Sequence, residues 1–132
     1  MVIEKILKEK FGLSKFRPNQ KKIIKSILDE NDTIAILATG GGKSLCYQLP
    51  AVMFKGITII ISPLIALMQD QVKNLNQKSI NATYFSSTLS KKETQDRFEK
   101  LSKNRYKIIF VAPERLNNEK FKSIISKLKI EL

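Results

Sequence analysis

The sequence predicts an α/β domain built around a parallel β-sheet, and three observations support this fold class. Apolar runs of strand length alternate along the chain with segments whose apolar residues recur at helical spacing. The length of 132 residues suits one compact domain, and the hydrophobic content of 42% is ordinary for a globular protein. Strands that alternate with helices are joined by crossover connections, and such connections produce parallel pairing.

The first part of the chain predicts two helices, a strand and a third helix. Helices are expected over 2–10 and 18–28, where apolar side chains recur every three or four residues. The run 33–37 is short and apolar, which predicts a buried strand. A glycine-rich segment follows this run, and a helix is expected from there to about Met53.

The remainder of the chain repeats the alternation of strands and helices. Strands are predicted at 57–61, 83–85 and 108–111, and helices at 90–101 and 120–128. Ser62 and Pro63 follow the first of these strands and predict a helix start, with Ser as the N-cap and Pro in the first turn. Pro113 repeats this junction after the last strand.

Composition excludes several classes of protein. One cysteine and no histidine exclude a disulfide scaffold and any site built on histidine, and Cys46 is expected to be buried rather than nucleophilic. No apolar run reaches the ~20 residues that span a bilayer, so no membrane partner is expected. The net charge of +12, from 24 Lys and Arg against 12 Asp and Glu, favours nucleic acid as a partner. A general lysine-rich bias explains the same charge, and both interpretations remain open.

Residues 39–44, Thr-Gly-Gly-Gly-Lys-Ser, have the composition of a phosphate-binding loop between a strand and a helix. Glycines let backbone N–H groups converge on an anion, and the helix N-terminus adds the positive end of its dipole. Lys43 is then placed to reach the β- and γ-phosphates, and the Ser44 hydroxyl to bind Mg²⁺. The strict pattern has glycine where this chain has Leu37. The cradle is expected to consist of Gly40, Gly41 and Gly42, and Thr39 is expected to bind the nucleotide beside them.

Four segments of the chain match, in order, the motifs of one family. Residues 16–20 read Phe-Arg-Pro-Asn-Gln, and 38–51 contain the glycine-rich loop. Residues 62–72 begin Ser-Pro-Leu-Ile, and 106–116 contain Ala-Pro-Glu-Arg-Leu. Together these segments resemble the RecQ family of ATP-dependent DNA helicases. The resemblance implies unwinding in the 3′-to-5′ direction and a role in DNA repair and recombination.

The resemblance also implies roles for individual residues. Gln20 is expected to hydrogen-bond the adenine edge of ATP, since a side-chain amide both donates and accepts, and Arg17 to pack on the adenine face. ATP and Mg²⁺ are the expected cofactors. Single-stranded or partially duplex DNA is the expected partner, with Ser62, Pro63 and Arg115 contacting its backbone.

ATP hydrolysis in this class needs an apolar strand that ends in Asp-Glu, which holds Mg²⁺ and orients the attacking water. No strand end in this sequence carries that pair. Residues 1–132 are therefore expected to be the N-terminal portion of the first motor domain, a three-layer RecA-like P-loop domain that stops before this Walker B strand. Such a fragment is expected to bind ATP and single-stranded DNA, and to need the C-terminal remainder for unwinding.

Three alternatives remain open at this point. The chain could belong to another superfamily-two helicase that acts on RNA, or be a non-catalytic P-loop nucleotide-binding module. It could also be a basic protein that binds DNA without sequence preference. The helicase interpretation implies a location in the cytoplasm with the nucleoid in a bacterium, or in the nucleus of a eukaryote.

Overall fold

The computed structural model describes residues 2–38, 40 and 42–132, and it confirms an α/β fold with a parallel sheet. Within the described residues the chain forms six α-helices, one 3-10 helix and three strands. It divides into two compact units, Met1–Met53 and Phe54–Leu132. Each unit has its own hydrophobic core.

The first unit consists of three helices around a small core. Helix α1 spans Val2–Phe11, α2 spans Gln20–Leu28 and α3 spans Lys43–Met53. Each helix contributes apolar side chains that recur on one face, as the spacing predicts. The buried members of this core are Ile3, Leu7, Ile24, Leu45 and Leu49.

Residues 33–37 do not form the buried strand that their composition predicts. No strand is assigned here, and Ile34 and Ile36 are 93% and 92% exposed. The other three side chains of the run line a cavity of about 230 Å³ beside α2 and α3. A strand needs a neighbour for its backbone N–H and C=O groups, and the described part of this unit contains no other strand. The prediction is wrong because local composition cannot supply that neighbour.

The second unit is built on a three-stranded parallel sheet in the order β1-β3-β2. Strand β1 spans Thr58–Ile61, β2 spans Ala82–Phe85 and β3 spans Ile108–Val111. All four residues of β3 are buried because it is the central strand. The helices of this unit are α4 (Ile65–Gln77), α5 (Lys91–Ser102) and α6 (Glu119–Ile125), with a 3-10 helix at Pro113–Asn117.

An aromatic cluster fixes α5 and α6 to one face of the sheet. Phe85 of β2 stacks on Phe98 of α5 with ring centroids 5.2 Å apart, and Phe121 of α6 lies 5.6 Å from Phe85. Such aromatic pairs contribute about 0.5–1.5 kcal/mol each beyond the burial of their area. On the opposite face of β2, the Tyr84 hydroxyl accepts a hydrogen bond from Gln69 of α4 at 3.1 Å. Helices therefore cover both faces of the sheet.

The serine before α5 caps its helix, whereas the serine before α4 closes a turn. The Ser90 hydroxyl accepts the N–H of Glu93, and the Glu93 carboxylate accepts the N–H of Ser90, each at 3.1 Å. This capping box starts α5. Helix α4, in contrast, begins at Ile65 and not at the Ser-Pro pair that the sequence predicts. The Ser62 hydroxyl accepts the N–H of Leu64 at 3.2 Å, which closes a turn ahead of the helix.

The last four residues add a short parallel pairing beside β1. The Ile57 N–H donates to the Lys129 carbonyl at 2.9 Å, and the Glu131 N–H donates to the Ile57 carbonyl at 3.0 Å. Ile57 and Ile130 form the bridge between the two segments. The backbone of Gly56 lies so close to this last segment that a Cβ on Gly56 would overlap the Lys129 carbonyl oxygen.

Candidate functional site

The glycine-rich loop leads into α3, as the sequence predicts. Gly40 and Gly42 have φ angles of +80° and +77°, a region that residues with a Cβ rarely adopt. Lys43 begins α3 and is exposed, and the half-buried Ser44 follows it. The described part of the loop thus ends at a helix N-terminus, where the positive end of the helix dipole favours anions. Two further residues of the predicted loop lie outside the described residues, Thr39 and Gly41.

Gln20 of α2 packs against this loop and lies close to Gly42. The Gln20 residue is 3% exposed, and its Nε2 donates a hydrogen bond to the Gly42 carbonyl at 3.0 Å. A Cβ on Gly42 would overlap Nε2 of Gln20. A larger residue at this position would be strained by the left-handed backbone and would displace the Gln20 amide from its bond to the Gly42 carbonyl.

Arg17, the second residue expected to contact adenine, also reaches the loop. Its Nη1 donates to the Gly40 carbonyl, and its backbone N–H donates to Oε1 of Gln20 at 2.8 Å. The structure therefore brings Arg17 and Gln20 together with Gly40 and Gly42. The side-chain amide of Gln20 has two N–H donors and two acceptor positions. Its bonds to the Gly42 carbonyl and the Arg17 N–H use one donor and one acceptor position.

The groups at the start of α3 fit a magnesium nucleotide. Lys43 forms no ion pair among the described residues, which leaves its ammonium free to pair with phosphate. Mg²⁺ is commonly held by substrate phosphates and a small number of protein oxygens. The described residues contain no cluster of His, Cys, Asp or Glu that could hold a metal by itself. A metal here would therefore depend on phosphate oxygens and the Ser44 hydroxyl.

Cys46 lies one turn into α3 and has a packing role. It is 5% exposed, and burial raises the pKa of its thiol. Its Sγ lies 3.8 Å from the Gly42 carbonyl oxygen. A buried, protonated thiol is a poor nucleophile, in agreement with the sequence.

Ser62 and Pro63 lie at the carboxyl edge of the sheet in the second unit. The Ser62 N–H donates to the Val111 carbonyl at 3.1 Å, which fixes Ser62 against the end of β3. Pro63 is exposed and Ser62 is half-buried. Because the Ser62 oxygen accepts the N–H of Leu64, its hydroxyl hydrogen is able to donate to a phosphate.

Arg115, the third residue expected to contact DNA, bonds to its own protein. Its Nη2 donates to the Ser86 carbonyl at 2.7 Å, and the residue is half-buried. This bond ties the 3-10 helix after β3 to the loop after β2. Within that loop the hydroxyl oxygens of Ser86 and Thr88 lie 2.6 Å apart. A guanidinium has five N–H donors, so Arg115 retains donors for a ligand.

The loop 86–90 is a part of this edge that the sequence motifs do not single out. It reads Ser-Ser-Thr-Leu-Ser, and the side chains of Ser87, Thr88 and Ser90 are exposed. The carboxyl ends of parallel strands meet at one edge of a sheet, where open α/β folds bind ligands. A hydroxyl-rich run directly after a strand is the signal that could have identified this loop.

Comparison with known proteins gives the class to which the chain belongs. A profile of the DEAD/DEAH box helicases matches residues 17–130, which is most of the chain. The chain therefore belongs to the DEAD/DEAH box helicase family. In the part of the chain that the structure describes, no helix has the length and apolar character needed to cross a membrane.

Individual relatives confirm the resemblance to RecQ helicases. The chain is 43% identical over 130 residues to the ATP-dependent DNA helicase RecQ of Bacillus subtilis (strain 168). It is 40% identical over 125 residues to the protein of the same name from Haemophilus influenzae, and 45% identical over 121 residues to the ATP-dependent DNA helicase Q-like 2 of Arabidopsis thaliana. These alignments cover 98%, 95% and 90% of this chain but 22%, 20% and 17% of the relatives. The chain thus spans about a fifth of their length and matches the N-terminal part of the first motor domain.

Proposed function

We propose that this chain is the nucleotide-binding and DNA-contacting N-terminal part of a RecQ-type ATP-dependent DNA helicase. Residues 1–132 bind ATP with Mg²⁺ through the glycine-rich loop and contact single-stranded DNA at the carboxyl edge of the sheet. The whole motor would unwind DNA in the 3′-to-5′ direction during repair and recombination, with its C-terminal remainder required for that activity. The relatives' names as ATP-dependent DNA helicases support this activity.

The approach of Gln20 to Gly42 is the observation that carries the proposal. The amide expected to recognise adenine is bonded to the loop expected to hold phosphates, at 3.0 Å. Base and phosphates would therefore be bound by one connected set of groups.

Each group near the loop has a separate role in binding the nucleotide. Lys43 pairs with the β- and γ-phosphates, the Ser44 hydroxyl coordinates Mg²⁺, and Arg17 and Gln20 hold the adenine. The metal, when bound, neutralises charge on the phosphates. None of the strands in the described residues is followed by Asp-Glu, the pair that would orient the attacking water. We therefore expect this chain to bind ATP without turning it over.

DNA contact is proposed at the carboxyl edge of the sheet in the second unit. Ser62 offers a hydroxyl hydrogen, Pro63 an exposed surface and Arg115 its remaining N–H donors to the phosphate backbone. The net charge of +12 supports a polyanionic partner. The protein would accordingly be found with DNA, in the nucleoid of a bacterium or the nucleus of a eukaryote.

The test is ATP hydrolysis and MgATP binding by the 132-residue chain, with and without single-stranded DNA. We expect MgATP binding and DNA binding without turnover. DNA-stimulated turnover would show that a carboxylate of this chain orients the water, and absence of MgATP binding would contradict the nucleotide role. RNA of the same sequence provides the control for substrate class, since tighter binding of RNA would favour a helicase that acts on RNA.

A further inference from the structure

The outer edge of β2 is covered by side chains and not by another strand. Strand β2 pairs with β3 on one side and is the last strand of the described sheet on the other. The Phe85 carbonyl accepts the N–H of Ala112, which follows β3, at 2.9 Å. Alternate residues of a strand bond to the same neighbour in a parallel ladder. The backbone groups of Ala82 and Tyr84 therefore point away from β3, towards the outer edge.

Asn76 of α4 covers the first of these two positions. Its Oδ1 accepts the Ala82 N–H at 2.9 Å, and its Nδ2 donates to the Ala82 carbonyl at 3.2 Å. Ala82 is 4% exposed, so its backbone groups need partners within the protein. A side-chain amide carries the same kinds of donor and acceptor as a peptide group. Asn76 therefore supplies both hydrogen bonds that a neighbouring strand would give to Ala82.

Arg97 of α5 covers the second position from the opposite face of the sheet. Its Nη1 donates to the Tyr84 carbonyl at 2.7 Å. The Tyr84 side chain lies on the face that α4 covers, and the Arg97 guanidinium lies 4.5 Å from the centroid of its ring. The Glu93 carboxylate, which belongs to the capping box of α5, lies 3.9 Å from the same guanidinium. Arg97 thus crosses the edge of β2 from the α5 face to the α4 face and is held there.

The space beside this edge is rich in charge. A cavity of about 570 Å³ lies between α4, α5 and the amino ends of β2 and β3. Five of its eleven lining residues are charged: Glu93, Asp96, Arg97, Lys100 and Arg105. A strand that entered this space would remove such groups from water, which is unfavourable. Charged side chains beside an edge are one of the means by which proteins prevent pairing between sheets.

The outer edge of β1 is completed in a different way, by backbone groups. The Ile59 N–H donates to the Leu132 carbonyl at 2.9 Å, and Ile57 pairs in parallel with Ile130. A backbone segment is therefore able to extend this sheet. At β2, in contrast, two side chains occupy the positions that such a segment would need.

We propose that Asn76 and Arg97 form an edge cap that prevents a second copy of this chain from adding a strand to β2. An edge strand without such a cap presents a row of unpaired N–H and C=O groups, to which the backbone of another chain can pair. The edge cap bonds to these groups from within the molecule, from both faces of the sheet. This inference is independent of nucleotide binding and of DNA binding.

The test compares two double variants of the 132-residue chain that change charge and apolar content equally. Asn76→Leu with Arg97→Leu removes the edge cap. Gln77→Leu with Lys100→Leu is the matched control, because both side chains are exposed, lie on the same two helices and form no hydrogen bond to β2 among the described residues. Sedimentation velocity measures self-association over a range of protein concentrations. Circular dichroism establishes that both variants are folded.

We expect the variant without the edge cap to self-associate at a concentration at least ~10-fold lower than the control variant does. Equal self-association of the two folded variants would overturn the proposal. This comparison holds whether or not the unaltered chain associates through another surface, because that surface is the same in both variants.

Hydrogen exchange of single amides provides a second readout in Asn76→Leu, which retains Arg97 and its contacts. The Ala82 amide loses its acceptor and should exchange at least ~10-fold faster than in the unaltered chain. The Ala112 amide, which donates to the Phe85 carbonyl inside the sheet, should exchange at the same rate in both proteins. Unaltered exchange at Ala82 would show that Asn76 does not close this edge and would overturn the proposal, even if the double variant fails to fold.

Discussion

The side-chain amide of Gln20 donates a hydrogen bond to the backbone carbonyl of Gly42 at 3.0 Å, across 22 residues of sequence. The same amide accepts the backbone N–H of Arg17 at 2.8 Å. Two segments that are separate in sequence are thereby joined before any nucleotide binds. Preorganisation of this kind lowers the entropic cost of ordering a binding loop around its ligand.

Replacement of Gln20 by Ala should weaken both the fold and the nucleotide site. The Gly42 carbonyl loses a donor and the Arg17 N–H loses an acceptor, and the loss of such partly buried bonds costs about 1–3 kcal/mol. Urea unfolding measures the change in stability, and calorimetric titration measures MgATP affinity. Lys22→Ala on the exposed surface of α2 is the control and should change neither quantity. Unaltered MgATP affinity in Gln20→Ala would contradict a role for this amide in nucleotide binding.

Gly42→Ala and Gly40→Ala should differ, although both glycines have positive φ. An alanine at either position is strained by roughly 1 kcal/mol. Only at Gly42 would the new Cβ also overlap Nε2 of Gln20, since a Cβ on Gly40 meets no atom within 4 Å. Gly42→Ala should therefore reduce MgATP affinity and stability more than Gly40→Ala does. Equal effects in the same two measurements would show that the contact with Gln20 is unimportant.

Local patterns were sufficient to predict some elements. Four consecutive apolar residues predict the central strand at 108–111, and β3 occupies those residues. The apolar run 33–37 predicts a strand just as strongly, but a strand also needs a pairing partner, which local sequence does not reveal. At Ser62 the same residue type suits either a helix cap or a turn, and the turn forms. The Gln20–Gly42 bond joins residues that are distant in sequence, so local patterns do not predict it. Only the resemblance to the RecQ helicase motifs predicts that these two residues belong to one site.

Polar substitution at Ile36 should have almost no effect on stability, because this side chain is 92% exposed. Ile36→Ser is expected to change the free energy of unfolding by less than about 0.5 kcal/mol. Leu49→Ala in the core of the first unit should cost about 2–5 kcal/mol and provides the comparison. Chemical denaturation of both variants measures the difference. A loss in Ile36→Ser as large as that in Leu49→Ala would mean that 33–37 is buried after all.

Stability should fall in acid as glutamates become protonated. The pKa of Glu93 is lowered from the usual 4.5, chiefly by the backbone N–H of Ser90 and then by its hydroxyl. A carboxyl group with a depressed pKa stabilises the fold above its usual value, and this contribution is lost as pH falls through the lowered value. Hydrogen bonds from lysines lower the pKa in the same way for Glu4, Glu99 and Glu131.

The measurement is the melting temperature of the chain and of Glu93→Gln between about pH 7 and pH 3. Glu93→Gln lacks one of the titrating groups, so its melting temperature should depend less on pH below about 4.5. Identical pH dependence in the two proteins would contradict the contribution assigned to the Ser90–Glu93 capping box.

The most direct test of the central claim is MgATP binding by Lys43→Ala, measured by calorimetric titration beside the unaltered chain. Lys25→Ala removes the same charge from an exposed position on α2 and is the matched control. Because the Lys43 ammonium is the group assigned to the β- and γ-phosphates, Lys43→Ala should lose at least ~10-fold in affinity while remaining folded. Lys25→Ala should bind as the unaltered chain does. Undiminished binding by Lys43→Ala would contradict the assignment of this loop as the nucleotide site.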